Sequence, residues 1–194
     1  MANGRVLTGF SLPYIALYSV SSGNLSYSSG QILARGVSVS IDVDSASDDN
    51  IFYADNVAAE TVSGTFTGGT CTLTVDGLKQ AAEKLLLGLP SADGNGFVPY
   101  GDDMTIPYVG LGFICRYMTA GSTEYVPVIL PKCRANTPGL EANTQEDEID
   151  WQTQEIEFSM LRDDTAKHNW KMVGSAATTE ASAEAAIKTV FSIA

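Results

Sequence analysis

A single histidine, His168, stands in the 194 residues. Imidazole is the side chain best suited to proton transfer near neutral pH, so acid–base relays have one candidate. Asp163 and Asp164 lie just before it and serines are plentiful, but no GxSxG elbow surrounds any serine. The stretch DDTAKHNWK reads as an exposed turn carrying an ordinary surface histidine. Cysteine is equally scarce. Cys71, Cys115 and Cys133 are odd in number, widely spaced and free of any CxxC pair, which argues against a zinc site. Each sits in a strand-like run, where a thiol behaves as a small apolar group and suits a reducing cytosol.

Positive charge is also short. Eleven lysines and arginines face 23 acids, for a net charge of -12. A basic patch that grips phosphates is not expected, and nucleic acid near such a surface would pass rather than bind. No apolar run approaches the ~18 residues a membrane-spanning helix needs, so no membrane anchor is expected. The opening stretch MANGRVLTGFSLPY lacks the apolar core of a signal peptide. Charged residues make up 18% of the chain, below the ~25% of ordinary domains. A neutral surface of that kind suits a protein that covers itself with copies of itself.

The remaining polar clusters carry no recognisable chemistry. Asp42, Asp44, Asp48 and Asp49 lack the glycine and closing glutamate of a calcium loop. Glu146, Asp147, Glu148 and Asp150 read as a charged strand entrance. The glycine-rich GTFTGGT lacks the lysine of a phosphate loop. No catalytic residue, cofactor or metal ligand is assigned. A divalent cation held loosely between subunits stays open. Trp151 and Trp170 read as core anchors.

What the chain does have is period-two alternation. Val37, Val39, Ile41 and Val43 alternate with Ser38, Ser40 and Asp42, and Cys71, Leu73 and Val75 alternate with Thr70, Thr72 and Thr74. Such strands bury one face and wet the other. Residues 14–20, 51–54, 57–62, 108–119, 123–133, 148–161 and 169–173 read as further strands. A parity change near Gln154–Glu155 predicts a bulge in the long one. Residues 21–30 read as a turn. Leu78, Ala81, Ala82, Leu85 and Leu86 repeat at helical spacing, with Asp76 as N-cap and Gly88 as stop. Ala183, Ala186, Ile187, Val190 and Phe191 give a C-terminal helix.

The expected class is mainly β: a β-sandwich or partly open barrel of antiparallel strands, one flanking helix and a C-terminal helix. Residues 1–13 read as a loose arm and 14–194 as one domain. Residues 89–107 form a long loop holding Phe97, Tyr100 and Ile106, the candidates for contact with another chain. Folding of that loop onto its own core is the alternative.

Three stretches carry a resemblance. They are DDNIFYADNVAAE, GTCTLTVDGLKQAAEKLLLG and VPVILPKCRANTPGLEANTQEDEIDWQTQEIEFSM, the last with its Gln152–Thr153 pair. In wording and order they resemble the major tail proteins of long-tailed bacteriophages, the type found in phages of Gram-positive hosts. The resemblance runs from residue 14 to the C-terminus. It implies a tail-tube fold of two packed β-sheets, assembled as hexameric rings stacked into a hollow tube that conducts the genome during ejection. The implied partners are the same protein, a tape-measure protein, the tail terminator and distal tail proteins, and viral DNA in transit without specific binding. The implied location is the virion tail, assembled in the host bacterial cytoplasm. Alternatives are a tube protein of a contractile injection system, or a surface- or carbohydrate-binding β-sandwich module.

Overall fold

The computed structural model describes residues 4–45, 50–54, 57–62, 66–102, 104–144 and 151–193. Within them the chain is mainly β. In order come β1 (Val6–Ser21), β2 (Asn24–Ile32), β3 (Gly36–Ser45), β4 (Asn50–Ala54), β5 (Val57–Val62) and β6 (Phe66–Val75). Helix α1 (Gln80–Leu87) follows, then β7 (Val109–Thr119), β8 (Ser122–Ala135), β9 (Gln154–Leu161), β10 (Met172–Val173) and helix α2 (Glu180–Val190).

The main strands belong to one antiparallel sheet in the order β2-β1-β7-β8-β9-β6-β3, with β10 added beside β8. The sheet is open: β2 ends it on one side and β3 on the other. Strands β4 and β5 pair with each other as a separate two-stranded ribbon.

Alternation decides what each face covers. Ile15, Leu111, Phe113, Cys115, Leu130, Leu73 and Phe158 point to a large core that also takes Ala82, Leu86 and Leu87 of α1. On the opposite face, Tyr14, Ala16, Ile114 and Ile129 meet Ala183, Ile187 and Phe191 of α2. The centre of the sheet is therefore buried on both sides, and β1, β7 and β8 show continuous buried runs. Strands β6 and β9 are covered on one side only and keep strict alternation. Helix α2 lies close because Gly112 has no side chain: a Cβ there would stand 2.8 Å from Ile187 Cγ2. Its N-cap Thr179 accepts from the Ser182 amide at 3.2 Å, and Glu184 pairs with Lys188 at 2.9 Å. Among the described residues no buried side-chain polar atom lacks a partner.

Four expectations need correction. The arm is a strand from Val6 onward, paired with β7, with register shifts between Leu7 and Gly9 and between Ser11 and Tyr14. Those irregularities absorb Gly9 and Pro13, which had masked the strand. Residues 21–30 are mostly β2; the turn shrinks to Ser22 and Gly23, both with positive φ. Asp76 does not cap α1, whose N-cap Lys79 makes no side-chain bond. It accepts from the Arg35 amide at 3.0 Å and pairs with the Arg35 side chain, which β3 brings across the end of β6. The late strand starts at Gln154, so residues 151–153 lie outside it. Asp48, Asp49, Glu146, Asp147, Glu148 and Asp150 lie outside the described residues.

A buried tyrosine and a half-buried one make stability pH-dependent. Tyr27 donates to the Pro131 carbonyl at 2.8 Å, and Tyr18 donates to Asp164 at 2.9 Å. Burial pushes the Tyr18 phenol up to about 12 and raises that of Tyr27 further, from an ordinary value of 10.0. The unfolded chain therefore ionises these groups first. Their contribution is fully present below pH 10 and is lost as pH rises toward the raised folded values. The denaturant midpoint is expected to hold from neutrality to about pH 9 and fall steeply above pH 10, less so in Tyr27→Phe. A profile flat to pH 12 contradicts this.

Candidate interaction surface

The catalytic candidates do not assemble. His168 is exposed, with φ 51°, and its Nδ1 faces the backbone carbonyl of Asp163 at 3.2 Å, not a carboxylate. The Asp163 side chain is buried and fully used. It accepts from the Thr165 amide and hydroxyl, at 3.1 and 2.6 Å, and from the amide and side chain of Asn169. That carboxylate organises the loop and is not free to orient an imidazole. Asp164 is held by Lys132 at 2.7 Å, and the ammonium also lies over the rings of Tyr18 and Tyr108. Burial raises the thiols of Cys71, Cys115 and Cys133, which suits inert core groups.

A surface of different character lies on β3, β6 and β9. The register aligns their outward residues in rows: Ser38 with Thr74 and Glu155, Ser40 with Thr72 and Glu157, Asp42 with Thr70 and Ser159. The serines and carboxylates are exposed and the threonines half-buried. Asp44 extends the face along β3. Within β3, β6 and β9 these rows hold no lysine or arginine; the third continues to exposed Arg134 of β8, opposite Ser159. The residues between them, Cys71, Leu73, Val75, Ile156, Phe158 and Met160, turn the other way into the core. The result is a smooth hydroxyl and carboxylate wall on an apolar backing. Beside it, residues 136–141, 152–155 and Glu157 border a cleft of about 630 Å³ that also includes Asp76.

The wall ends at an unpaired strand. β3 is hydrogen-bonded to a strand on one side only; β1 approaches its start, where Phe10 meets Gly36, and two of its valines are left half exposed, Val37 at 55% and Val43 at 44%. Val6 and Leu7, at the start of β1, are exposed as well. An edge with open N–H and C=O groups and apolar side chains beside them is a template for another strand.

The long loop divides its candidates. Ile106 packs against the core together with Val98 and Met104. Phe97 stands 74% exposed, and Tyr100 is exposed too. Sequence reasoning missed two other positions: Trp151, read as a core anchor, is 84% exposed, and Leu140 is 94% exposed. The strand expected to carry Trp151 inward begins three residues later, so nothing draws its ring into the sheet. The flanking polar run QEDEID was the available signal. Trp170 is half-buried and stacks on Phe66 at 4.8 Å between ring centres.

No protein-family model matches the chain, and no curated protein matches it. The surface itself carries the functional argument.

Proposed function

We propose that the protein is a structural subunit that completes its sheets with copies of itself, as the tube protein of a long-tailed bacteriophage does, in stacked six-membered rings around a bore. The supporting observation is the acidic wall of β3, β6 and β9 ending at the unpaired, apolar-sided edge of β3. A strand edge of that kind gains hydrogen bonds and buries valine when a neighbour pairs with it. A head-to-tail contact then closes into a ring when its rotation permits, and the stacking contact repeats.

The wall would face the bore. The carboxylates repel a phosphate backbone, so DNA would slide without sticking. The tail-tube fold belongs to this same proposal, as do the tape-measure, tail terminator and distal tail partners and the virion location. The eight-stranded sheet is open, compatible with closure between copies, although among the described residues the only other sheet is the β4–β5 ribbon, not the second packed sheet that the resemblance implies.

Charge reversal on the wall tests the reading. Glu155→Lys with Glu157→Lys leaves the apolar backing untouched and changes outward residues only. The variant is expected to assemble and to retain double-stranded DNA at low salt, releasing it as salt rises, because each lysine–phosphate contact frees counterions. The unaltered protein is expected to retain none. Equal retention by both would count against a bore lined by this face.

A further inference from the structure

The 89–107 loop carries an exposed aromatic tip and has an apolar groove at its base. Asp93 clamps the tip: its Oδ1 accepts from the amides of Asn95 and Phe97, at 2.9 and 2.8 Å. Its own amide donates to the Phe97 carbonyl at 2.8 Å, and Gly96, with φ 88°, closes the turn. Phe97 is thus an exposed aromatic ring on a preformed support, so little ordering is left to do when it binds. The groove, about 450 Å³, runs between α1 and the outer edge of β2 and is lined by Leu17, Ala81, Leu85, Leu89 and Pro107, with Lys84 at its rim. No described strand covers that side of β2. Phe97 of the same chain does not line the groove.

Resting on the self-assembly reading above, we infer that this groove receives the Phe97 turn of a second copy. Charge selects that occupant. Residues 89–107 carry three aspartates and no base, and the groove presents the ammonium of Lys84. In a chain of net charge -12, most approaches between copies are repulsive, and this one pairs opposite signs. Each copy carries both halves; Lys84 donates to Ser91 of its own loop at 3.0 Å, but Phe97 does not enter its own groove, so the contact is heterologous and can propagate.

Cysteine pairing tests it. Asn95 and Thr105 are both exposed, and Thr105 lines the groove, so Asn95→Cys with Thr105→Cys preserves the core and keeps the Phe97 ring. The native thiols are buried and do not compete. Under mild oxidation of concentrated protein, the double variant is expected to give a ladder of covalent multimers on a non-reducing gel. Each single variant is expected to stop at dimer or monomer. Adding Ala81→Trp, which fills the groove from an exposed helix position, is expected to abolish the ladder. Absence of the ladder in protein that still forms tubes would overturn this contact and leave the tube reading standing. A ladder that survives Ala81→Trp would overturn the groove as receptor. Protein that neither assembles nor cross-links would remove both proposals.

Discussion

Val37→Lys combined with Val43→Lys is expected to yield a folded protein that no longer assembles. Both side chains are already about half exposed on a strand paired on one side only, so the isolated subunit loses little. In the assembly each lysine would be buried against a neighbour's strand without a partner, at several kcal/mol per charge. A penalty of about 4 kcal/mol raises the concentration needed for assembly roughly a thousandfold. The change moves net charge from -12 to -10, so weaker repulsion between copies cannot explain a loss of assembly. Threonine at the same two positions keeps the strand propensity and adds no charge, and is expected to preserve assembly. Sedimentation velocity reads the outcome. Particles from the lysine variant as large as those of the unaltered chain would show that the β3 edge is not used.

Phe158→Ala is expected to be the most damaging single truncation. Phe158 is fully buried in β9, between Cys71 of β6 and Ala135 of β8 in the register. It thus ties the wall-bearing half of the sheet to the central half. Removing a buried phenyl ring costs about 3–5 kcal/mol, from lost transfer energy and an unfilled cavity. Domains hold only about 5–15 kcal/mol in total. Urea unfolding of the subunit should therefore show a midpoint displaced by a large fraction of its value, with assembly lost as a consequence. A shift below about 1 kcal/mol would mean that the core collapses around the gap more freely than its packing suggests.

Strands with one wet face were legible in the sequence. In β6 and β9 each side chain meets either water or the core, and composition records that choice residue by residue; β3 keeps the alternation although Val37 and Val43 are left half exposed. Both helices were legible for the same reason at a different period. Strand β2 was not, because its sequence NLSYSSGQI is held by backbone pairing with β1 and buries little beyond Tyr27. The first half of β1 was hidden by Gly9 and Pro13, which break local propensity and are tolerated where the register slips. The wall illustrates a deeper limit. Its members could each be assigned to a wet face, but only non-local pairing sets Ser40 beside Thr72 and Glu157. Phe97 was legible as a loop aromatic; the clamp by Asp93 and the groove near Lys84 required the fold.

The most direct test of self-completion is electron microscopy of the concentrated protein across ionic strengths. Acidic walls facing one another round a bore repel at low salt and are screened at high salt, so the proportion assembled should rise with salt. Rings or tubes of one uniform bore are the expected result. Single particles of subunit size at every concentration and salt level would contradict it.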